Sequence, residues 1–448
     1  MKKRLLMNTV LMTGTSILMR CIAMAFQVWL VGRIGAAGIG LYQLVMSVEM
    51  LCVTFAVSGI RFAVTRLISE EVGSGRPGGV GAAMRRCVSY SLLFGVAAMI
   101  ILGLCAEPIG FLWIGDARTV LSLKILALGL PFISLSSVLS GYFTACGRVL
   151  RPSMVHLVEQ VSYVALVAVF LSWAPEGDIE KCCAAVTAGV TASDILSFLL
   201  MLAAYIADRR RHPGGKQSAP QLTRRMLVVA LPLAASAYAR SALSTLEHLL
   251  VPRGFKKSGL SADSSLASYG VIQGMVMPIL SFPACLLMSL AELIVPELTD
   301  LQMKRDDAGI SRVVRTLLTK SAVFSVAAAA VLFFFSDALG MVIYHSSEAG
   351  TYIRLLAPLI PVMYVDMVTD GCLKGLGQQV WSMGINILDA LLGVILVYSL
   401  LPIGALKAYI GIIYFNECLN FVLSMIRLCK VTDLRPVRFS RRAQGQAR

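Results

Sequence analysis

The charged side chains that read as deepest inside long apolar runs are Arg20, Glu49, Arg61, Glu159, Asp194, Arg240, Glu292, Asp366, Asp370, Asp389 and Glu417. A charged side chain at the centre of a bilayer costs about 2.5–3.5 kcal/mol on insertion scales. Each is therefore expected to face a cavity or a partner. Arginine offers fixed positive charge and a planar fork of donors that suits phosphate oxygens. Carboxylates offer proton or sodium binding. Asp366, Asp370 and Lys374 are spaced i, i+4, i+8 and so share one helix face. That face reads either as a wet lining or as an Asp370–Lys374 pair with interhelical hydrogen bonds. Glu49 and Glu292 are the carboxylates that could lock Arg20 or Arg240 instead of leaving them to a ligand.

Covalent chemistry has no such signal. The four histidines (His156, His212, His248 and His345) form no motif, and no phosphate-binding loop or nucleophile elbow occurs. The eleven cysteines lie mostly in apolar runs, without zinc-site spacing, and read as small helix residues. No metal and no cofactor are expected, apart from proton or sodium coupling.

The elements that must hold these charges are membrane helices. The 448 residues are 57% hydrophobic and 15% charged, with a mean hydropathy of +0.78, against about 25% charge in soluble domains. Twelve apolar runs are long enough to span: 7–31, 40–66, 84–106, 117–144, 152–173, 182–207, 224–250, 264–295, 317–336, 350–375, 379–402 and 405–428. Pro278, Pro283 and Pro296 predict a bend in the eighth. The first run is too long for a signal-peptide core and reads as a retained anchor.

The net charge of +15 would suggest nucleic acid in a soluble protein. Here the basic residues crowd the even-numbered loops and both ends, which is the positive-inside pattern of a multi-pass protein with both termini cytoplasmic. Membrane lipid is the expected surface partner, nucleic acid is not, and a monomer is expected.

The chain also aligns with itself. A shift of 220 places Arg20 on Arg240 and Arg33 on Arg253. A shift of 230 places Pro131 on Pro361, Gly141 on Gly371, Gly147 on Gly377 and Glu159 on Asp389. It also places Ser136, Ser140 and Thr144 on Asp366, Asp370 and Lys374. Six spans per half give a parallel repeat about an axis along the membrane normal, with a ligand site between the halves. The division is 1–207 for one lobe, 208–222 for a cytoplasmic linker, 223–430 for the second lobe and 431–448 for a basic cytoplasmic tail. Arg20 and Arg240 would then face each other across the cleft, with Arg61 near the end of span two. Glu159 and Asp389 read as structural.

Several stretches in order resemble the stage V sporulation protein B group: "LVGRIGAAGIGLYQL" (30–44), "SGIRFAVTRLISEE" (58–71), "GYFTACGRVLRPSMVHLVEQ" (141–160), "LEHLLVPRG" (246–254) and "YGVIQGMVMPILSFPACLLMSLAELIVPEL" (269–298). That group belongs to the polysaccharide-exporter branch of the multidrug/oligosaccharidyl-lipid/polysaccharide flippase superfamily. The resemblance implies an all-α, two-lobed, V-shaped fold that works by alternating access. It implies a lipid-linked oligosaccharide as cargo, moved from inner to outer leaflet, with cavity arginines on its diphosphate. Arg20 matches the family's arginine in the first span. Ala23 stands where a glycine is usual, and Gln27 near the place of a second basic residue.

Three readings follow. The first is a flippase for lipid-linked oligosaccharide, which is not an enzyme, with Arg20, Arg61, Arg240 and Lys374 on the diphosphate. Glu49, Glu292, Asp366 and Asp370 then line the cavity or couple an ion. The second is a cation-coupled multidrug exporter of the same fold, using Asp366, Asp370 and Glu292 for a cationic substrate. The third, an integral membrane polysaccharide enzyme, is disfavoured by short outer loops without paired carboxylates.

Overall fold

A computed structural model of the chain describes residues 2–73, 77–148, 150–175, 177–211 and 222–432. The linker residues 212–221 and the tail 433–448 lie outside the described residues, as does the side chain of Glu292. The helices in order are α1 (Lys2–Val57), α2 (Ile60–Gly73), α3 (Pro77–Pro108), α4 (Val120–Ala145), α5 (Leu150–Trp173), α6 (Ile179–Arg211), α7 (Leu222–Lys257), α8 (Ala262–Gly270), α9 (Met277–Ser281), α10 (Ala284–Met303), α11 (Asp307–Phe334), α12 (Ser336–Tyr344), α13 (Ser347–Leu356), α14 (Ile360–Gly375) and α15 (Gln379–Thr432). No strand occurs among the described residues.

Among the described residues, nine helices are long and apolar enough to span, and ten with one bent pair. Two of the nine hold more than one span. At about 1.5 Å per residue, the 56 residues of α1 would run about 84 Å, far beyond a hydrocarbon core of about 30 Å. α1 is in fact two helices meeting at Gly35, whose φ of 71° glycine adopts without strain. α15 likewise breaks at Ala405, φ 44°. Counting these halves recovers the twelve expected spans. The expected bend in the eighth is present: Ala262–Ser281 meets Ala284–Ala291 at 61°. A break in the second was not expected. It falls at Ser58 and Gly59, φ 45° and 69°, between α1 and α2.

The breaks repeat. Gly35 and Gly259 both have positive φ and lie 224 positions apart. Gly115 and His345, and Gly147 and Gly377, are pairs 230 apart. Hydrogen bonds repeat with them. Asp116 N donates to Gly110 O and Ser346 N to Gly340 O, each at 3.0 Å. Gly147 N donates to Thr144 O and Gly377 N to Lys374 O, each at 3.1 Å. The two broken spans are also capped alike. Just before the Ser58–Gly59 break, the Ala56 carbonyl accepts from Ser134 Oγ at 2.8 Å. Just before Pro283, the Leu280 carbonyl accepts from Tyr364 Oη at 2.6 Å. Each donor lies three residues past Pro131 or Pro361. A carbonyl freed inside a membrane must find a donor in protein, and both halves meet that need from the same place.

Gly141 and Gly371 mark matching close approaches in this packing. A Cβ on Gly141 would lie 2.9 Å from the Arg61 carbonyl, and one on Gly371 2.8 Å from Ala291. The linker begins later than the sequence reading puts it. α6 continues to Arg211 because Asp208 is buried and paired with Arg148, Arg151 and Tyr142.

Candidate functional site

Spans two and seven run antiparallel in contact for most of their length. Thr245 Oγ1 donates to the Ser47 carbonyl at 2.9 Å. Thr54 Oγ1 donates to Ser241 Oγ at 3.3 Å. Ser58 Oγ and Tyr238 Oη are 2.5 Å apart. Gly59 then lets the chains touch: a Cβ there would lie 2.6 Å from the Ala230 carbonyl. On the other side of this seam, α1 meets α8 through glycines. A Cβ on Gly40 or Gly270 would come within 2.1 Å of the opposite backbone oxygen, that of Leu266 or Ala36. Small residues permit such close helix approach in membranes.

Between these contacts lies a cavity of about 910 Å³, bounded by the second half of α1, α2, α7, span eight and the start of α15. Arg61 and Arg240 both line it, one from each half. Neutral polar groups complete the wall, among them Ser236, Ser244, Gln43 and Gln273. No aspartate or glutamate is among the described lining residues. Met46, Met50, Val53 and Phe62 supply an apolar side. The π turn Val271–Val276 explains part of this wall. It sets Gln273 toward Tyr409 Oη at 2.7 Å. It also leaves the Gly274 carbonyl to accept from Gln27 Nε2 at 2.9 Å.

Several acids line side chambers, two of which correspond between the halves. The chamber of the first half is lined by Ile133, Ser136, Ser137, Ser140, His156, Glu159, Asp194, Ser197 and, at its edge, Arg61. The chamber of the second, about 270 Å³, is lined by Met363, Asp366, Met367, Asp370, Asn386, Glu417, Asn420 and Ser424. Six lining residues of the first (133, 136, 137, 140, 156 and 194) fall on lining residues of the second under the 230 shift. The polar face predicted for spans four and ten is therefore a chamber wall in both halves.

The other predicted residues separate. Arg20 does not line the cavity; it is exposed and donates to Met288 Sδ at 3.2 Å, against α10. Lys374 pairs with Asp370 at 2.6 Å, and Asp370 also accepts from Ser382. Asp366 is 9% exposed, and its Oδ1 has no hydrogen-bond partner among the described residues. Glu49 is buried inside the first half with Oε2 likewise unpartnered. Glu159 accepts from Ser197 at 2.7 Å and lies 3.0 Å from His156. Asp389 has one buried oxygen without a partner. The sequence reading passed over Glu247 and His248. His248 lines the cavity and lies 3.1 Å from Tyr269 Oη. Glu247 packs where Gly393 leaves room, beside Asn416. Two adjacent ionisable residues inside span seven were the available signal.

At the very start of span four, Arg118 joins the halves. It holds Asp116 through both carboxylate oxygens and reaches Asp263 at 2.9 Å. Burial pushes the Asp116 carboxyl up, but hydrogen bonds from the Arg118 side chain and backbone outweigh it and hold it below the usual carboxylate range.

Comparison with known proteins fits this architecture. The family described as "Polysaccharide biosynthesis protein" matches residues 5–291, and the MatE family matches 257–399. Stage V sporulation protein B of Bacillus subtilis (strain 168) is 24% identical over 443 residues, 95% of this chain and 82% of that protein. Sporulation protein YkvU of the same organism is 20% identical over 391 residues, 85% of this chain and 86% of that protein. Among solved structures, the lipid II flippase MurJ in an inward closed conformation shares the fold with a TM-score of 0.72 at 13% identity, over 95% of this chain and 87% of that one. An inward-facing multidrug resistance MATE family transporter gives 0.69 at 14%, over 93% and 96%. The chain therefore belongs to the polysaccharide biosynthesis protein family, in the polysaccharide-exporter branch of the multidrug/oligosaccharidyl-lipid/polysaccharide flippase superfamily.

Proposed function

We propose that the chain is a flippase that carries the anionic head of a lipid-linked oligosaccharide from the inner to the outer leaflet. The observation that supports this is the charge of the cavity between the halves. Arg61 and Arg240 contribute two fixed positive charges, and no described lining residue opposes them. A diphosphate is rejected by hydrocarbon, and bidentate guanidinium contacts replace the water it loses. The neutral hydroxyls and amides suit sugar hydroxyls, while the methionine side suits the start of the lipid tail.

The chain is read as a multi-pass protein of the cytoplasmic membrane, monomeric, with both termini and the basic loops in the cytoplasm. The chamber of Asp366, Asp370 and Glu417 shares no lining residue with the central cavity. It can take a proton or a sodium ion without touching the cargo. The same separation weighs against export of cationic drugs, whose charge would meet arginine rather than carboxylate in the cleft.

Reconstitution into vesicles with fluorescent lipid-diphosphate saccharides tests the proposal. Arg61→Ala and Arg240→Ala are each expected to slow flipping about 10- to 100-fold, the loss of a charge-assisted contact of about 1.5–3 kcal/mol. Normal flipping by both variants sinks it.

A further inference from the structure

Among the described residues, charged contacts tie the halves together at opposite ends of the seam between them. At one end, Arg225 at the start of α7 donates to Glu71 at 2.9 Å and to Glu70 at 2.5 Å, both on the last turns of α2. Glu71 is buried, and Arg66 holds the second oxygen of Glu70 at 2.9 Å. At the other end, Arg118 reaches from the turn before α4 to Asp263 on α8 at 2.9 Å. Lys256 Nζ donates to the Gly115 carbonyl at 3.3 Å beside it. Both contacts are made at once here, with the cavity between them.

We propose that these contacts are opposed gate latches. Arg225 with Glu70 and Glu71 closes the cytoplasmic mouth of the cleft, and Arg118 with Asp263 closes the outer mouth. Alternation of two rigid lobes about a central cavity cannot open one mouth without separating the residues that bridge it. Each half-cycle therefore breaks one latch and keeps the other, and their relative strength sets the ratio of inward-open to outward-open protein. The two are built differently. Asp116 grips Arg118 from within its own half through both oxygens, so the guanidinium stays aimed when Asp263 departs. Arg225 divides its two donor groups between two carboxylates of the opposite half. The outer latch closes on an exposed carboxylate, Asp263 being 69% exposed, and so is the weaker of the two. The inner one, with a buried partner, is the stronger. This inference rests on the transporter reading and on cytoplasmic termini, but not on the identity of the cargo.

A reporter cysteine at the cavity wall, Ser244→Cys, measures it in the full-length protein. Its reaction with a membrane-impermeant maleimide is followed from the outside and, in inverted vesicles, from the inside, against the labelling of protein without the reporter. Asp263→Asn is expected to raise outside labelling about two- to fivefold, the range for an exposed ion pair. Arg225→Gln is expected to raise inside labelling about tenfold, because the ion pair it removes reaches a carboxylate in a buried place. Arg225→Lys and Asp263→Glu keep the charges and should return labelling toward the starting values. Shifts of the two variants in the same direction, or no shift in either, overturn the proposal. No cargo is present, so a wrong assignment of cargo leaves the outcome readable.

Discussion

The two corresponding side chambers occupy the same positions in the two halves but carry part of their charge on different helices. In the first half, spans four and six contribute Ser136, Ser140 and Asp194. In the second, the same positions hold Asp366, Asp370 and Ser424. The sixth helix of each half keeps an acid, Asp194 or Glu417, but the second acid position differs: Glu159 on the fifth helix of the first half, Asp366 and Asp370 on the fourth of the second. His156 stands opposite Asn386 in the same exchange. Backbone shape has been kept by the repeat, through matching turns and carbonyl caps, while the side chains that carry charge have diverged. A second difference follows. The first chamber opens at Arg61, which also lines the central cavity, whereas the second shares no residue with it. If the central cavity holds the proposed cargo, a chamber joined to it suits cargo recognition, and one set apart suits an ion that must not be displaced by cargo.

The sharpest break in this comparison is between Asp366 and its counterpart Ser136. Asp366→Asn is expected to remove the dependence of flipping on sodium or pH and to slow it about tenfold or more. Ser136→Ala should leave that dependence in place. Vesicle flipping across a pH and sodium series checks both, and equal effects would end the division of labour between the chambers.

The capped breaks provide the next test. Tyr364→Phe and Ser134→Ala each strip the donor from a carbonyl beside a break. Each should destabilise the protein by about 1–2 kcal/mol, read as a fall in thermal midpoint in detergent. A smaller effect is expected at the loops between spans five and six and between spans eleven and twelve. Gly177 has φ 88°, while the alanine 228 positions later, Ala405, has φ 44°. Ala405→Gly should stabilise by about 1 kcal/mol by removing left-handed strain. Gly177→Ala should cost a similar amount, and both are measurable by the same thermal scan.

Smallest is the effect of pH at the outer turn. The carboxyl of Asp116 is held below its ordinary range, so its contribution to stability is fully present above the unfolded value of about 3.9. That contribution is lost as pH falls through the lowered folded value. Thermal midpoints of the parent protein should drop over that acid window, and Asp116→Asn should show a shallower drop. Equal slopes would mean that Asp116 contributes nothing.

Much of this was legible in the amino-acid order. Apolar runs interrupted by turn residues dictate helices, and their number follows from bilayer thickness. The repeat shows in Pro131 and Pro361 and in Gly147 and Gly377, because proline and glycine answer to backbone geometry that a repeat must copy. The rare charges inside the runs mark candidate sites, since each is costly there. Partnership was not legible. Arg20 and Arg240 look equivalent by spacing, yet Arg240 lines the cavity while Arg20 rests against Met288 of α10. Helix rotation and the kinks at Gly35 and Gly59 decide which face meets the cleft, and these depend on packing between segments far apart in sequence. The same packing separates acids from arginines, hides Glu49, ties Lys374 to Asp370 and sets Arg225 against Glu70 and Glu71. Residue types along the chain decided that charges would lie at membrane depth; only contact between the halves decided which of them share a wall.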